Sequence, residues 1–195
     1  MRVRVKSRTR VYDGYFKLDA AVLQFRQHDG QWSPVIERLV FERGDSAAVL
    51  LYDPHDDRVV LVEQFRYPAF LRDAEHGWVL EVVAGTVETG RDPKEVAISE
   101  AWEEAGYRLQ QVDHLTTMLA SPGACTERIH LFLGIVGPGS REGAGGGQMD
   151  HGEDVRIVEM SLEDALSAID QGRIVDGKTI VALQLLARRQ AARSR

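Results

Sequence analysis

The sequence predicts an α/β (α+β) fold in which a mixed β-sheet lies between helices, with a small antiparallel sheet ahead of it. Three observations predict this. Short apolar strands bounded by turn residues recur from the N-terminus to about residue 136, helix signals are few and come late, and strands and helices do not alternate regularly. A doubly wound parallel sheet would require that alternation. At 195 residues and 44% hydrophobic content, the chain can bury one substantial core plus a small appended element.

The N-terminal segment, residues 1–45, reads as antiparallel β-structure. Arg2, Arg4, Lys6, Arg8 and Arg10 alternate with Val3 and Val5, which suggests a strand with one solvated face. Tyr15 to Leu18 and Ala21 to Phe25 are strand-like, His28-Asp29-Gly30-Gln31 supplies turn chemistry, and Pro34 to Phe41 is the returning strand. So small a sheet cannot bury both faces alone, so it is expected to pack on the main domain or on a second subunit.

Residues 46–195 form the main domain. Ala47 to Tyr52 and Arg58 to Phe65 flank a turn at Asp53-Pro54-His55-Asp56-Asp57, and Trp78 to Val83 is a further apolar strand. The best-defined helix follows. Asp92 suits the N-cap, Pro93 the first helical position, Glu95 a capping box and Gly106 the C-terminal stop. Strands are expected at Leu115 to Leu119, Ile129 to Val136 and Val155 to Met160. Gly137 to Gly147 reads as a loop, either a loose connector or a mobile lid. Ser161 with Asp164 opens a short helix ending near Gly172, and a last helix runs from about Thr179.

The formal charge of −6 argues against a general nucleic-acid binder, which needs a basic face. A phosphorylated substrate remains compatible if metal ions supply local positive charge. Cys125 is the only cysteine, so a reducing, cytoplasmic setting is expected and Cys125 reads as a small packed side chain. No apolar run is long enough to span a bilayer, and the N-terminal arginines are not followed by the hydrophobic stretch of a secretory signal.

Within the capped helix, Glu100, Glu103 and Glu104 stand near one face, where their like charges repel. An acidic helix face is most often simply solvated. Carboxylates gathered without matching cations nevertheless suit a hard divalent ion such as magnesium. Read from Gly85 to Tyr107, the segment GTVETGRDPKEVAISEAWEEAGY resembles the Nudix box: Gly85, Glu100, the Glu103-Glu104 pair, Gly106 and Tyr107 match in identity and spacing. Two positions depart, Arg91 replacing the family glutamate and Ser99 the family arginine that orients the catalytic carboxylates. The acid and the base are lost together, so neither is orphaned.

The resemblance spreads along the chain. Val62 to Arg66, Leu80 to Gly85 and Ala120 to Gly123, with Thr126-Glu127-Arg128, look like the ADP-ribose pyrophosphatase group; Gly172 to Thr179 is closer to the GDP-mannose pyrophosphatase branch. It implies a Nudix-type α/β/α sandwich that hydrolyses the diphosphate of a nucleoside diphosphate sugar with magnesium, or manganese in its place. It further implies metal binding by the backbone carbonyl of Ala84 and by Glu100 and Glu104, with Glu103 assisting. Arg66 falls where the family sets an arginine against the substrate, and Glu127 where a residue contacts the ribose or supports the loop. The catalytic base would come from Asp150 to Asp154, where Glu153 is placed to reach the metals and His151 stands where relatives carry the base glutamate. Related proteins exchange N-terminal segments across a dimer, so a homodimer is expected. The alternative is a Nudix-fold nucleotide-binding module that has lost its chemistry.

Overall fold

A computed structural model describes residues 2–73, 77–147 and 154–193. The described strands are β1 (Val3–Asp13), β2 (Lys17–Phe25), β3 (Ile36–Glu42), β4 (Asp45–Asp53), β5 (Arg58–Phe65), β6 (Trp78–Glu81), β7 (Val83–Val87), β8 (Asp113–Leu119), β9 (Arg128–Ile135) and β10 (Val155–Ser161). The helices are α1 (Tyr67–Phe70), α2 (Pro93–Ala105), α3 (Leu162–Asp170) and α4 (Gly177–Arg193). The chain divides into two units: residues 1–45 with 119–128, and residues 46–118 with 129–195.

In the first unit β1, β2 and β3 form an antiparallel sheet in that order. The N-terminal arginines are partly spoken for. Asp19, 1% exposed, accepts hydrogen bonds from Arg8 and Arg10, and those from Arg10 and Arg8 hold its carboxyl below the usual range against the effect of burial. Arg4 and Arg26 both lie over the Trp32 ring. The sequence suggested one solvated face for β1, but all of its residues are exposed within the chain. The alternation of charge with valine therefore marks two open faces rather than a buried and a wet one.

The second unit is built on a mixed sheet of order β10-β5-β4-β9-β8, with β6 pairing β5 and β7 pairing β4. β4 and β9 run parallel, whereas β5 runs antiparallel to β4, β6 and β10. Strand periodicity divides the core into two layers, because successive side chains point to opposite faces. Ala47, Val49 and Leu51 of β4 join Val96, Ala97, Ala101 and Ala105 of α2 on one face. Ala48, Leu50 and Tyr52 join Leu162, Ala165, Leu183 and Leu186 of α3 and α4 on the other. This is the expected helix–sheet–helix sandwich. Among the described residues no helix is long and apolar enough to cross a membrane.

Local signals set the helix ends. The Asp92 carboxylate accepts from the Lys94 N–H at 2.9 Å, and Gly106 closes α2 in the left-handed conformation at φ 72°. At α3 the Ser161 hydroxyl accepts from the Asp164 N–H and donates to its carboxylate. The glycine-rich segment differs from the loose connector or lid its composition suggested. The N–H groups of Glu142 and Gly143 both donate to the Gly106 carbonyl at 3.0 Å, and that of Gly146 donates to the Glu104 carbonyl at 2.8 Å. Residues 142–147 thus satisfy carbonyls that the end of α2 leaves open. The glycines are what allow so close an approach: a Cβ on Gly106 would lie 2.2 Å from the Gly143 carbonyl oxygen.

Candidate active site

The site is assembled where β7 packs against α2. Because α2 is fixed by its caps and by the burial of Val96, Ala97, Ala101 and Ala105, the side chains one and two turns along it have a defined direction. Glu104 is 6% exposed and accepts from the Ala84 N–H at 3.3 Å. Glu100, half-buried, lies against the next residue. A Cβ on Gly85 would stand 1.8 Å from its Oε1, so the carboxylate fills the space that the glycine leaves. Both carboxylates therefore meet at Ala84–Gly85 of β7. Glu103, on the same helix, is exposed.

Arg66, at the end of β5, occupies the same unit. Its Nε donates to Glu81 Oε1 and its Nη2 to Glu81 Oε2, each at 2.8 Å. The hydrogen bond that Arg66 donates to Glu81 raises the Arg66 pKa, opposed by burial and assisted by the negative charges of Glu81, Glu104 and Asp176. Glu81 itself is 4% exposed. Burial pushes its carboxyl up, but the Arg66 hydrogen bond and the charges of Lys178 and Arg66 outweigh that and leave it below the usual range. Lys178 donates to Glu81 Oε2 at 2.7 Å and lies 3.1 Å from Asp176 Oδ2.

Sequence reasoning gave no role to Glu81, Asp176 or Lys178, although each lies in a stretch that carries the resemblance. The available signals were an acid at a core position of an otherwise apolar strand, and a lysine in the first turn of a helix, where the macrodipole disfavours cations. The structure also brings together the two positions that depart from the box. Arg91 Nη2 donates to the Ser99 hydroxyl at 3.3 Å, and that hydroxyl donates to the Glu95 carbonyl at 3.0 Å. Glu127 belongs to the other unit, where it is 7% exposed and pairs with Arg43 at 3.2 Å. Among the described residues the Arg43 Nε is a buried donor with no hydrogen-bond partner. His151 and Glu153 lie outside the described residues.

The donor chemistry at Ala84–Gly85 of β7 fits a hard divalent cation, since carboxylate oxygens and a backbone carbonyl are what magnesium prefers. Among the described residues no three His, Cys, Asp or Glu side chains form a metal cluster of their own.

Comparison with known proteins identifies the family. The NUDIX domain model matches residues 42–183. The chain is 38% identical over 184 residues to the ADP-ribose pyrophosphatase of Escherichia coli (strain K12), covering 94% of this chain and 87% of that protein. It is 37% identical over 172 residues to the GDP-mannose pyrophosphatase of Pectobacterium atrosepticum, covering 88% and 87%. The crystal structure of an ADP compounds hydrolase aligns with a TM-score of 0.72 at 18% identity, over 99% of this chain and 96% of that one, a likeness of fold alone. The carboxylate-bearing capped helix, the sandwich around it and the length of the family match lead to one conclusion: the chain belongs to the NUDIX family.

Proposed function

We propose that the chain is a magnesium-dependent hydrolase of a nucleoside diphosphate sugar of the ADP-ribose or GDP-mannose type. The observation that carries this is the meeting of the Glu100 and Glu104 carboxylates at Ala84–Gly85 of β7, in the same unit as the Arg66 guanidinium. The relatives named for ADP-ribose and GDP-mannose support that substrate class. Nudix hydrolases generally use divalent metal ions, and the oxygen donors present favour magnesium, with manganese as its substitute. When bound, the metal would supply neutralisation of the diphosphate, a lowered pKa for the attacking water and charge stabilisation for the leaving oxygen.

The residues around it divide the remaining work. Glu100, Glu104 and the Ala84 carbonyl hold the cation, Glu103 assists, and Arg66 binds and orients the diphosphate. Glu153 or His151 takes the proton of the attacking water. Attack on one phosphorus breaks the bridge to give a nucleoside monophosphate and a sugar phosphate. Separate His151→Ala and Glu153→Gln variants identify the base as the one whose loss removes turnover but leaves substrate binding. Residues 1–45 serve dimerisation and substrate contacts, with Glu127 at the ribose. Exposure of Val5, Val11, Tyr12 and Leu39 on the three-stranded sheet supports a homodimer, and a monomeric mass in light scattering would count against it. The lone thiol of Cys125 accords with a cytoplasmic setting.

A panel of ADP-ribose, GDP-mannose, UDP-glucose and ADP-glucose tests the reading. Turnover of at least one, abolished by EDTA and restored by magnesium, is the expected result. Binding of ADP-ribose without turnover would instead support a nucleotide-binding module, and neither binding nor turnover of any member overturns both.

A further inference from the structure

The ion network behind Arg66 is more elaborate than a single pair and closes on itself. Glu81 Oε2 accepts from both Arg66 Nη2 and Lys178 Nζ. Lys178 also meets Asp176, whose carboxylate accepts from the Thr179 hydroxyl at 2.6 Å and the Thr179 N–H at 3.0 Å. The Thr179 hydroxyl in turn accepts from the Val82 N–H, adjacent to Glu81, at 2.8 Å. Strand β6 and the start of α4 are thereby tied together around one carboxylate, which cannot rotate without breaking several hydrogen bonds at once.

Such a network is a poor way to gain stability. Charges taken out of water lose hydration that mutual attraction only partly restores, and apolar residues of similar size commonly serve a core as well or better. Glu81 and Lys178 are both deeply placed, with side chains 6% and 12% exposed, whereas the Arg66 side chain is 42% exposed. The buried members therefore act on one that reaches the surface. Glu81 grips the guanidinium along its Nε–Nη2 edge in a bidentate pair, which fixes the plane of the group and turns Nη1 away from Glu81.

We propose that Glu81 is a positioning residue: braced by Lys178 and Asp176, it holds Arg66 in the one orientation that presents its Nη1 edge to the substrate diphosphate. This rests on the hydrolase reading above. Glu81 touches neither substrate nor metal and acts through Arg66. Without the clasp, Arg66 would have to be ordered anew in each encounter, which is the cost that preorganisation removes.

Two measurements test this. In the wild-type protein the Arg66 Nε–H should give a resolved NMR resonance that exchanges with water far more slowly than that of the exposed Arg38; exchange at the same rate overturns the proposal. This arm needs neither substrate nor a variant. In the second, Glu81→Gln should lower kcat/KM for ADP-ribose with magnesium by roughly 10–100-fold, the range seen when residues supporting a functional group are lost. Introduced into Arg66→Ala, the same change should cost less than about 3-fold, because the group it positions is gone. Glu81→Asp keeps the charge but is too short for the bidentate clasp, and should show a comparable loss if Glu81→Gln does not fold. Equal losses in the two backgrounds, or wild-type turnover in Glu81→Gln, overturn the positioning role alone. A wild-type protein that protects the Arg66 Nε–H yet hydrolyses none of the four nucleotide sugars overturns the hydrolase reading, and with it the task assigned to Arg66.

Discussion

Replacing Gly85 by alanine puts the carboxylate geometry to a direct test. Gly85 does not occupy the left-handed region, so alanine can adopt its backbone conformation without strain. The added methyl would stand 1.8 Å from Glu100 Oε1, 2.2 Å from Cδ and 2.7 Å from Cγ. To reach ordinary van der Waals contact the carboxylate must retreat by ~1.5 Å. A displacement of about 1 Å at a reacting centre can cost on the order of 100-fold in rate, so Gly85→Ala should lose at least roughly 100-fold in kcat/KM, equivalent to about 2.7 kcal/mol of transition-state stabilisation. Stability should respond far less. The obstructing atoms are the far end of a flexible side chain, and removing a glycine favours folding by ~0.4–1 kcal/mol through the unfolded chain. The net change should lie within about 1 kcal/mol, a shift of ~2–4 °C in Tm for a chain of this size. The assay is nucleoside monophosphate release from ADP-ribose across a magnesium titration, with calorimetry on the same samples. Wild-type turnover and metal dependence in Gly85→Ala would refute the assignment of Glu100; a collapse of Tm would refute the view that only this side chain is disturbed.

Two further results are expected. Gly106→Ala should destabilise the protein by more than about 2 kcal/mol in urea unfolding, since it combines a left-handed φ of 72° with a Cβ 2.2 Å from a backbone oxygen that has no freedom to swing aside; a change below about 0.5 kcal/mol would show that residues 142–147 yield easily. The second concerns acid. Because the folded state holds the Glu81 carboxyl below its ordinary 4.5, the ion network contributes stability that is complete above that pH and is lost as pH falls through the lower folded value. The stability difference between wild type and Glu81→Gln, measured by urea unfolding from about pH 7 to about pH 3.5, should therefore hold steady to about pH 5 and shrink below; a difference unchanged over that range would mean that Glu81 is not ionised against Arg66 and Lys178.

Much of the fold and part of the site could be read from residues close together in the chain. Helix α2 was legible because its signals are local: the Asp92 cap bonds Lys94, the Gly106 stop lies just past Ala105, and the Glu100 and Glu104 spacing follows the helical repeat. The two layers of the core could be anticipated for the same reason, since alternation along β4 sends Val49 and Leu50 to opposite faces. Other features depend on residues far apart, and nothing in a linear pattern encodes their distance. Glu81 meets Lys178 across 97 positions, and residues 142–147 fold back onto carbonyls of α2. Arg91 and Ser99 read as an acid and a base lost together, and only the capped start of α2 places one against the other. Sequence alone determined which candidate carboxylates share a face of α2, because side-chain type and helical repeat are local properties. Tertiary structure decided which of those groups is braced and by what, because a buried charge must find its partners wherever the chain brings them.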